Sequence, residues 1–444
     1  MIDSGTDPSR KLGNNDASHG QLAKAMTKAM TEAAGLLRAP YRALPLIQRL
    51  ASDKLRIAFE QRHLYSYTRT MRKSSDSLKS VLGWILAAQR PDGGIAAYYS
   101  LLTGYSESYP EVTGYIVPTL YEFSRASGAS SFPHLRAAER ATEWLLSLQL
   151  PTGAFPAGLY NQARSADPLP SVFNTGQILQ GLVRAHFETN RVGIRNAALS
   201  AARWLAETQK ADGSWSGPGA YQDAPHTYYS MVAWALAELA ANSKSGSPDD
   251  QRCWRAAEKN LDWTLSHFLP NGWVDGINLS GHPNYLHFIA YALQGLLETA
   301  ILLRRNDAIE AVARSAWVLL RKFETNKFLP GAYESDFKSS HPFTCLTGNA
   351  QMSCVWLRLF EVTDDLRYLN AALKMNEMLK SLVPARGRRG VKGGVSGSYP
   401  IWCRYQPFRI ISWGCKFFAD ALLMEQRLTR SLKATEIEAL PCAS

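Results

Sequence analysis

Six cysteines among 444 residues, with no CxxC pair, are too few and too scattered for a disulfide framework. Cys253, Cys345, Cys354, Cys403, Cys415 and Cys442 suit a reducing compartment, and neither a metal nor a cofactor is expected. No uninterrupted apolar run approaches the roughly 18 residues of a membrane span. The opening stretch, MIDSGTDPSRKLGNNDASHG, is polar and carries early acids, unlike a secretory signal, so the cytoplasm is the expected compartment. Charged residues make up only 20% and apolar residues 46%, a balance that excludes a wholly disordered chain.

The net charge of +11 is concentrated at one end. Residues 1–80 hold 14 Lys and Arg against 7 Asp and Glu, and the other 364 hold 35 against 31. A polymer-reading surface wants its basic charge on the fold itself, so nucleic acid is not an expected partner. Residues 1–20 read as a disordered tail and 21–75 as a basic helical arm broken at Pro40 and Pro45. That arm either packs on the following domain or docks on a membrane surface or a synthase complex, which would place the protein peripheral to the inner membrane.

What the sequence has in abundance is a repeat. Trp84-Ile-Leu-Ala-Ala-Gln89-Arg-Pro-Asp-Gly-Gly94 recurs as Trp144…Gln149…Gly153 and as Trp204…Gln209…Gly213, with weaker copies from Trp263 and Trp317 and a degenerate sixth from Met375 to Gly394. The Trp anchors are spaced 60, 60, 59 and 54 residues apart. Each copy is an amphipathic helix, a Pro/Asp/Gly turn, a variable loop and a second helix apolar around most of its girth. Second helices are expected to begin near Pro110, Ser171, His226, Asn284, Cys345 and Ile410. Six amphipathic and six buried helices in alternation predict an all-α (α/α)6 toroid over residues 76–444, about 61 residues per hairpin. The recurring Trp residues read as core staples.

In such a ring the six inner-helix starts converge on one mouth, where free N–H groups suit an anionic ligand. Tyr109, Glu111 and Tyr115 stand at the first start, with Glu111 also readable as a first-turn acid. Asn174 and Gln177 stand at the second, and Asn174 is equally a candidate N-cap. The third and fourth bring His226 with Tyr228 and His287 with Tyr291, the last two sharing a helix face. Asn349 marks the fifth start, and Trp402, Arg404 and Tyr405 mark the sixth, where an Arg among aromatics reads as a clamp for a carboxylate-bearing sugar.

The Trp…Gln…Asp-Gly repeats resemble those of squalene–hopene cyclase and prenyltransferase toroids, although the DxDD acid motif is absent and the pairs Asp249-Asp250 and Asp364-Asp365 do not supply it. A longer resemblance runs through YPEVTGYIVPTL (109–120), VFNTGQILQGL (172–182), HTYYSMVAWAL (226–236), HFIAYALQGLLE (287–298), CLTGNAQMSCVWLRL (345–359), GSYPIW (397–402) and KFFADALL (416–423). These segments are similar to the VpsJ-type toroid proteins of bacterial exopolysaccharide gene clusters. That resemblance implies a part in making or modifying an extracellular polysaccharide. The ring is also similar to glucuronyl C5-epimerases, unsaturated glucuronyl hydrolases and several polysaccharide lyases.

Three functions follow as expectations. The first is a carbohydrate-active enzyme acting on an anionic polysaccharide or lipid-linked glycan, in which His287, Tyr291, Tyr115 or His226 removes a proton beside a uronate carboxylate. Arg404, Tyr405, Trp402, Asn174, Gln177, Asn349, Tyr109 and Tyr228 would bind the sugar. The second is a glycoside hydrolase pairing Glu111 with Asp336 or Asp223. The third is a non-catalytic glycan-binding component of a synthesis complex.

Overall fold

A computed structural model describes residues 73–438, apart from 164–167, 244–245, 278 and 342. The expected tail and nearly all of the basic arm lie outside the described residues. Twelve helices of thirteen residues or more run along the described chain. The first of each hairpin pair are α1 (Ser74–Ala88), α3 (Phe132–Leu146), α5 (Val192–Thr208), α7 (Pro248–Leu265), α9 (Asn306–Asn326) and α11 (Leu366–Leu382). Alternating with them are α2 (Pro110–Ser127), α4 (Val172–Thr189), α6 (Ser230–Asn242), α8 (Leu286–Leu303), α10 (Leu346–Thr363) and α12 (Ser412–Glu438). The starts expected from sequence fall within a few residues of these.

Burial separates the two sets. Along α9 the buried residues are Ala308, Ala311, Val312, Ser315, Ala316, Leu319, Leu320 and Phe323, one stripe at helical spacing. In α10 every residue from Leu346 to Leu357 is buried. Among the described helices only α8 is long and apolar enough to cross a membrane, and it is a buried inner helix of the ring.

The inner helices pack in the order α2–α4–α6–α8–α10–α12, and α12 returns to both α2 and α1. The ring is therefore an (α/α)6 toroid closed by the packing of α12 on α1 and α2. Short antiparallel pairs on the loops tie neighbouring repeats, and one of them spans the closure. In it β1 (Tyr98–Ser100) pairs with β2 (Arg409–Ile411), with Tyr98 opposite Ile411.

The repeat signature is the mortar between hairpins. Gln89, Gln149 and Gln209 each donate from Nε2 to the turn glycine four residues on and to a carbonyl of the next outer helix, that of Ala137, Ala197 or Ala256, at 2.8–3.0 Å. The turn glycine lies against the same helix. Gly213 has φ +92° and approaches so close that a Cβ would stand 2.2 Å from the Lys259 carbonyl oxygen. Gly393 of the degenerate sixth copy makes the equivalent approach to Ser80 of α1 and so carries the repeat across the closure. Among the Trp anchors, Trp84 and Trp144 are buried, whereas Trp204, Trp263 and Trp317 are only partly so. The glutamine staple belongs to the first three copies, and at Gly272 and Gly393 only the close approach of the glycine to the next helix recurs.

Candidate active site

The side chains that face the bore are set by helical spacing along the inner helices. They form a mouth of aromatic groups, a middle of polar and aromatic groups, and a floor of charges.

At the start of α2, Pro110 opens the helix and Glu111 follows in the first turn. The Tyr109 hydroxyl donates to Glu111 Oε2 at 2.6 Å. Burial pushes the Glu111 carboxyl up to about 7, with the Tyr109 bond acting against it. A helix N-terminus favours a carboxylate, so desolvation outweighs the dipole here. Glu111 retains partial solvent access, as a group lining a bore does.

One turn deeper lies Tyr115, whose hydroxyl faces that of Tyr291 on α8 without a well-aligned hydrogen bond. Neither hydroxyl has another partner among the described residues. Burial holds both phenols well above their usual range, and the negative charge of Glu111 adds to this. They are permanent O–H donors at physiological pH.

His287, four residues before Tyr291, lies with its ring 4.2 Å from that of Tyr291. Its Nδ1 stands 2.5 Å from Gln351 Oε1 of α10. Gln351 Nε2 points to Gln294 Oε1 at 3.4 Å, which leaves Gln351 Oε1 to accept the Nδ1 proton. Burial lowers the imidazole to about 3, so His287 is neutral and its Nε2 carries the free lone pair.

Aromatic rings line the rest. Phe173 of α4 stands 5.2 Å from Tyr228 and 5.3 Å from Tyr291, and Tyr228 stacks on Phe288 at 5.5 Å. Phe417 of α12 lies 6.0 Å from Tyr115 and 5.7 Å from Tyr291. Tyr405 lies 6.0 Å from His287, and its hydroxyl accepts from Trp413 Nε1 at 2.9 Å. Gln177 lies one turn below Phe173, fully buried, with neither amide atom partnered.

Ion pairs form the floor. Lys416 Nζ is 2.7 Å from Asp420, whose other oxygen accepts from Thr119. Arg358 bridges Glu298 and Glu361 at 3.0 and 2.9 Å, and Arg427 bridges Glu361 and Glu122 at 2.6 and 3.6 Å. Burial raises Glu238 to about 7, with the nearby Glu298 adding to it.

The structure thus brings Tyr109, Glu111, Tyr115, Tyr228, His287, Tyr291 and Tyr405 together. Several other expectations need correction. Asn174 neither caps its helix nor is free for a ligand, because Ser171 is the N-cap and the Asn174 amide donates to the Pro156 carbonyl. Asn349 is saturated by Leu329, Thr344 and Cys345 and staples a loop. His226 holds the Tyr221 carbonyl at 2.9 Å and buries its other nitrogen, so it supports Tyr228 by stacking at 4.9 Å rather than reaching a substrate. Trp402 and Arg404 are exposed, with Arg404 near Tyr285 at the rim rather than inside the bore. Asp223 is exposed, and Asp336 is exposed and ion-paired with Lys338 at 2.7 Å, so neither shares the interior with Glu111.

Sequence reasoning overlooked Phe173, Phe288, Phe417 and Gln294. Helical spacing was the available signal, since Gln294 lies seven residues after His287 and Phe417 four after Trp413. Among the described residues no group of three His, Cys, Asp or Glu is placed to hold a metal ion.

No protein-family model matches the chain, and a comparison with curated proteins finds no significant match. Solved structures do match. Unsaturated glucuronyl hydrolase from Bacillus sp. GL1 superposes with a TM-score of 0.63 at 16% identity, covering 81% of this chain and 97% of that one. A sugar epimerase from a ruminal bacterium gives 0.64 at 13% identity, covering 80% and 98%. Cellobiose 2-epimerase from Spirochaeta thermophila gives 0.60 at 15%, covering 86% and 98%. At such identities the likeness is one of fold, and the fold is the (α/α)6 toroid.

Proposed function

We propose that the chain is a carbohydrate-active enzyme that seats the end of a glycan in the bore and moves a proton at it, in the manner of an epimerase or lyase. One observation carries the reading: a carboxyl poised near neutrality, Glu111, shares an aromatic enclosure with a neutral imidazole, His287, whose tautomer is fixed. Glu111, titrating near the working pH, takes the proton from carbon and returns it, while the neutral imidazole of His287 accepts a hydrogen bond from a substrate hydroxyl through Nε2. The Tyr115 and Tyr291 hydroxyls donate to the oxyanion that forms. Aromatic faces such as Phe173 and Tyr228 suit the apolar faces of sugar rings.

Other proteins of this fold include enzymes named for glucuronyl and cellobiose substrates, which supports a glycan as the ligand. The resemblance to exopolysaccharide-cluster toroids supports a place in polysaccharide synthesis or modification, with a uronate-containing chain meeting Arg404 at the rim. Cytoplasmic residence, with the basic arm at a membrane surface or synthase complex, belongs to the same proposal.

Incubation with cellobiose and with a heparin-derived disaccharide in D2O separates the alternatives. Epimerisation in D2O places deuterium on the sugar carbon, which NMR detects, whereas elimination leaves that carbon unprotonated and is read as an unsaturated uronate by its ultraviolet absorbance. Cleavage with neither carbon deuteration nor an unsaturated product indicates a glycoside hydrolase, and binding without any of these indicates a non-catalytic glycan receptor. Either of those outcomes rejects the proposal.

A further inference from the structure

Among the described residues, Glu111 is the acidic side chain beside the aromatic groups of the bore, and the cations below it are paired with the carboxylates of the floor. The Tyr109 hydroxyl is the polar side chain bonded to Glu111, at 2.6 Å. The phenols of Tyr115, Tyr228 and Tyr291 feel the negative charge of Glu111, and the charged groups that act on Glu111, His287 and Tyr291 include no lysine or arginine among the described residues, although Lys416 Nζ lies 4.1 Å from the Phe417 ring. The nearest ammonium, that of Lys416, stands 5.6 Å from the Tyr115 ring, but Asp420 matches its charge at 2.7 Å. The unpaired guanidinium of Arg404 is out at the rim. What the interior does offer is hydroxyl chemistry and apolar faces: two phenolic O–H groups without aligned partners, the Nε2 lone pair of His287 and the ring of Phe173.

We propose that this inner position takes an uncharged, hydroxyl-rich sugar ring and rejects a ring bearing a carboxylate. The inference rests on the reading of the bore as a glycan site and narrows it to epimerisation, because elimination needs a carboxylate on the reacting ring and the acidic residue of a uronate-containing chain is then met outside, at Arg404. A sugar carboxylate beside Glu111 would set two like charges in a poorly solvated enclosure. A neutral ring instead satisfies the orphaned hydroxyls and lays an apolar face on the aromatic wall.

Calorimetric titration of the full-length protein at pH 8, where Glu111 is ionised, tests this with two sugars of one stereochemistry. These are cellobiose and the same disaccharide oxidised to carboxylates at both C6 positions. Cellobiose is expected to bind about tenfold more tightly. Glu111→Gln should narrow that gap severalfold by raising affinity for the diacid. A diacid that binds as tightly as cellobiose, or a gap unchanged in Glu111→Gln, overturns the inference while leaving the glycan reading in place. If neither sugar binds, both fall.

Discussion

His287 and Gln351 face each other across the interface of α8 and α10, with Nδ1 of the imidazole 2.5 Å from the amide oxygen. The bond decides which nitrogen is basic. Gln351→Leu should free the ring to take the other tautomer and leave a buried N–H unsatisfied. About 1–3 kcal/mol of stability should be lost, and kcat should fall roughly 10²-fold with little change in KM. An unaltered kcat in a folded Gln351→Leu protein would show that the tautomer is irrelevant to turnover.

Glu111 makes stability depend on pH in a definite direction. Its folded carboxyl titrates near 7 against an ordinary value of 4.5. The fold therefore holds this proton more tightly than the unfolded chain does. Its contribution is fully present below 4.5 and is lost as pH rises through about 7. Between pH 5 and pH 8, Tm of the wild type should fall relative to that of Glu111→Gln. Glu238 acts in the same direction in both proteins, so the difference isolates Glu111. Parallel melting curves at both pH values would contradict the shift.

The floor predicts a charge-specific penalty. Lys416 is buried beside Asp420, with Glu122 and Glu298 near. Lys416→Met should cost about 2–3 kcal/mol, because it leaves a largely buried carboxylate with only the Thr119 hydroxyl as partner. Adding Asp420→Leu should recover much of that loss. Denaturant unfolding of the single and double variants reads the result, and equal destabilisation in both would place the cost in packing instead.

The glutamine staple predicts a loss of stability away from the bore. Gln149→Ala removes one hydrogen bond within its own turn and one to the next hairpin, and should cost about 1–3 kcal/mol. Gly213→Ala should cost more, since its φ is +92° and the Lys259 backbone leaves no room for a Cβ. Chemical denaturation measures both, and sugar affinity at the bore should stay the same in Gln149→Ala.

Arg404 tests where a carboxylate is met. As an exposed rim cation it should contribute modestly and in a salt-dependent way, so Arg404→Ala should weaken binding of a heparin-derived disaccharide severalfold at low ionic strength and hardly at all at 0.5 M salt. A hundredfold loss that survives high salt would instead put the guanidinium in a desolvated clamp.

The ring was legible in the sequence because its signals are local. A helix reports its buried face through residues three and four apart, and the turn that ends each outer helix recurs along the chain, with its Gln in the first three copies. The convergence of Glu111, Tyr115, His287 and Tyr291 on one mouth followed from those repeats. What local signals could not settle is how each helix is rotated and where each loop runs. Asn174 and Gln177 are three residues apart on one helix, yet one is consumed by the Pro156 carbonyl and the other lies unpartnered below Phe173. Arg404 belongs to a loop whose path leaves it at the rim while Tyr405, its neighbour, turns inward to meet His287. Those choices come from packing between repeats some sixty residues apart, where distant side chains compete for the same space. The helices and their order belong to the sequence, and the selection of which polar groups stay free for a ligand belongs to the tertiary structure.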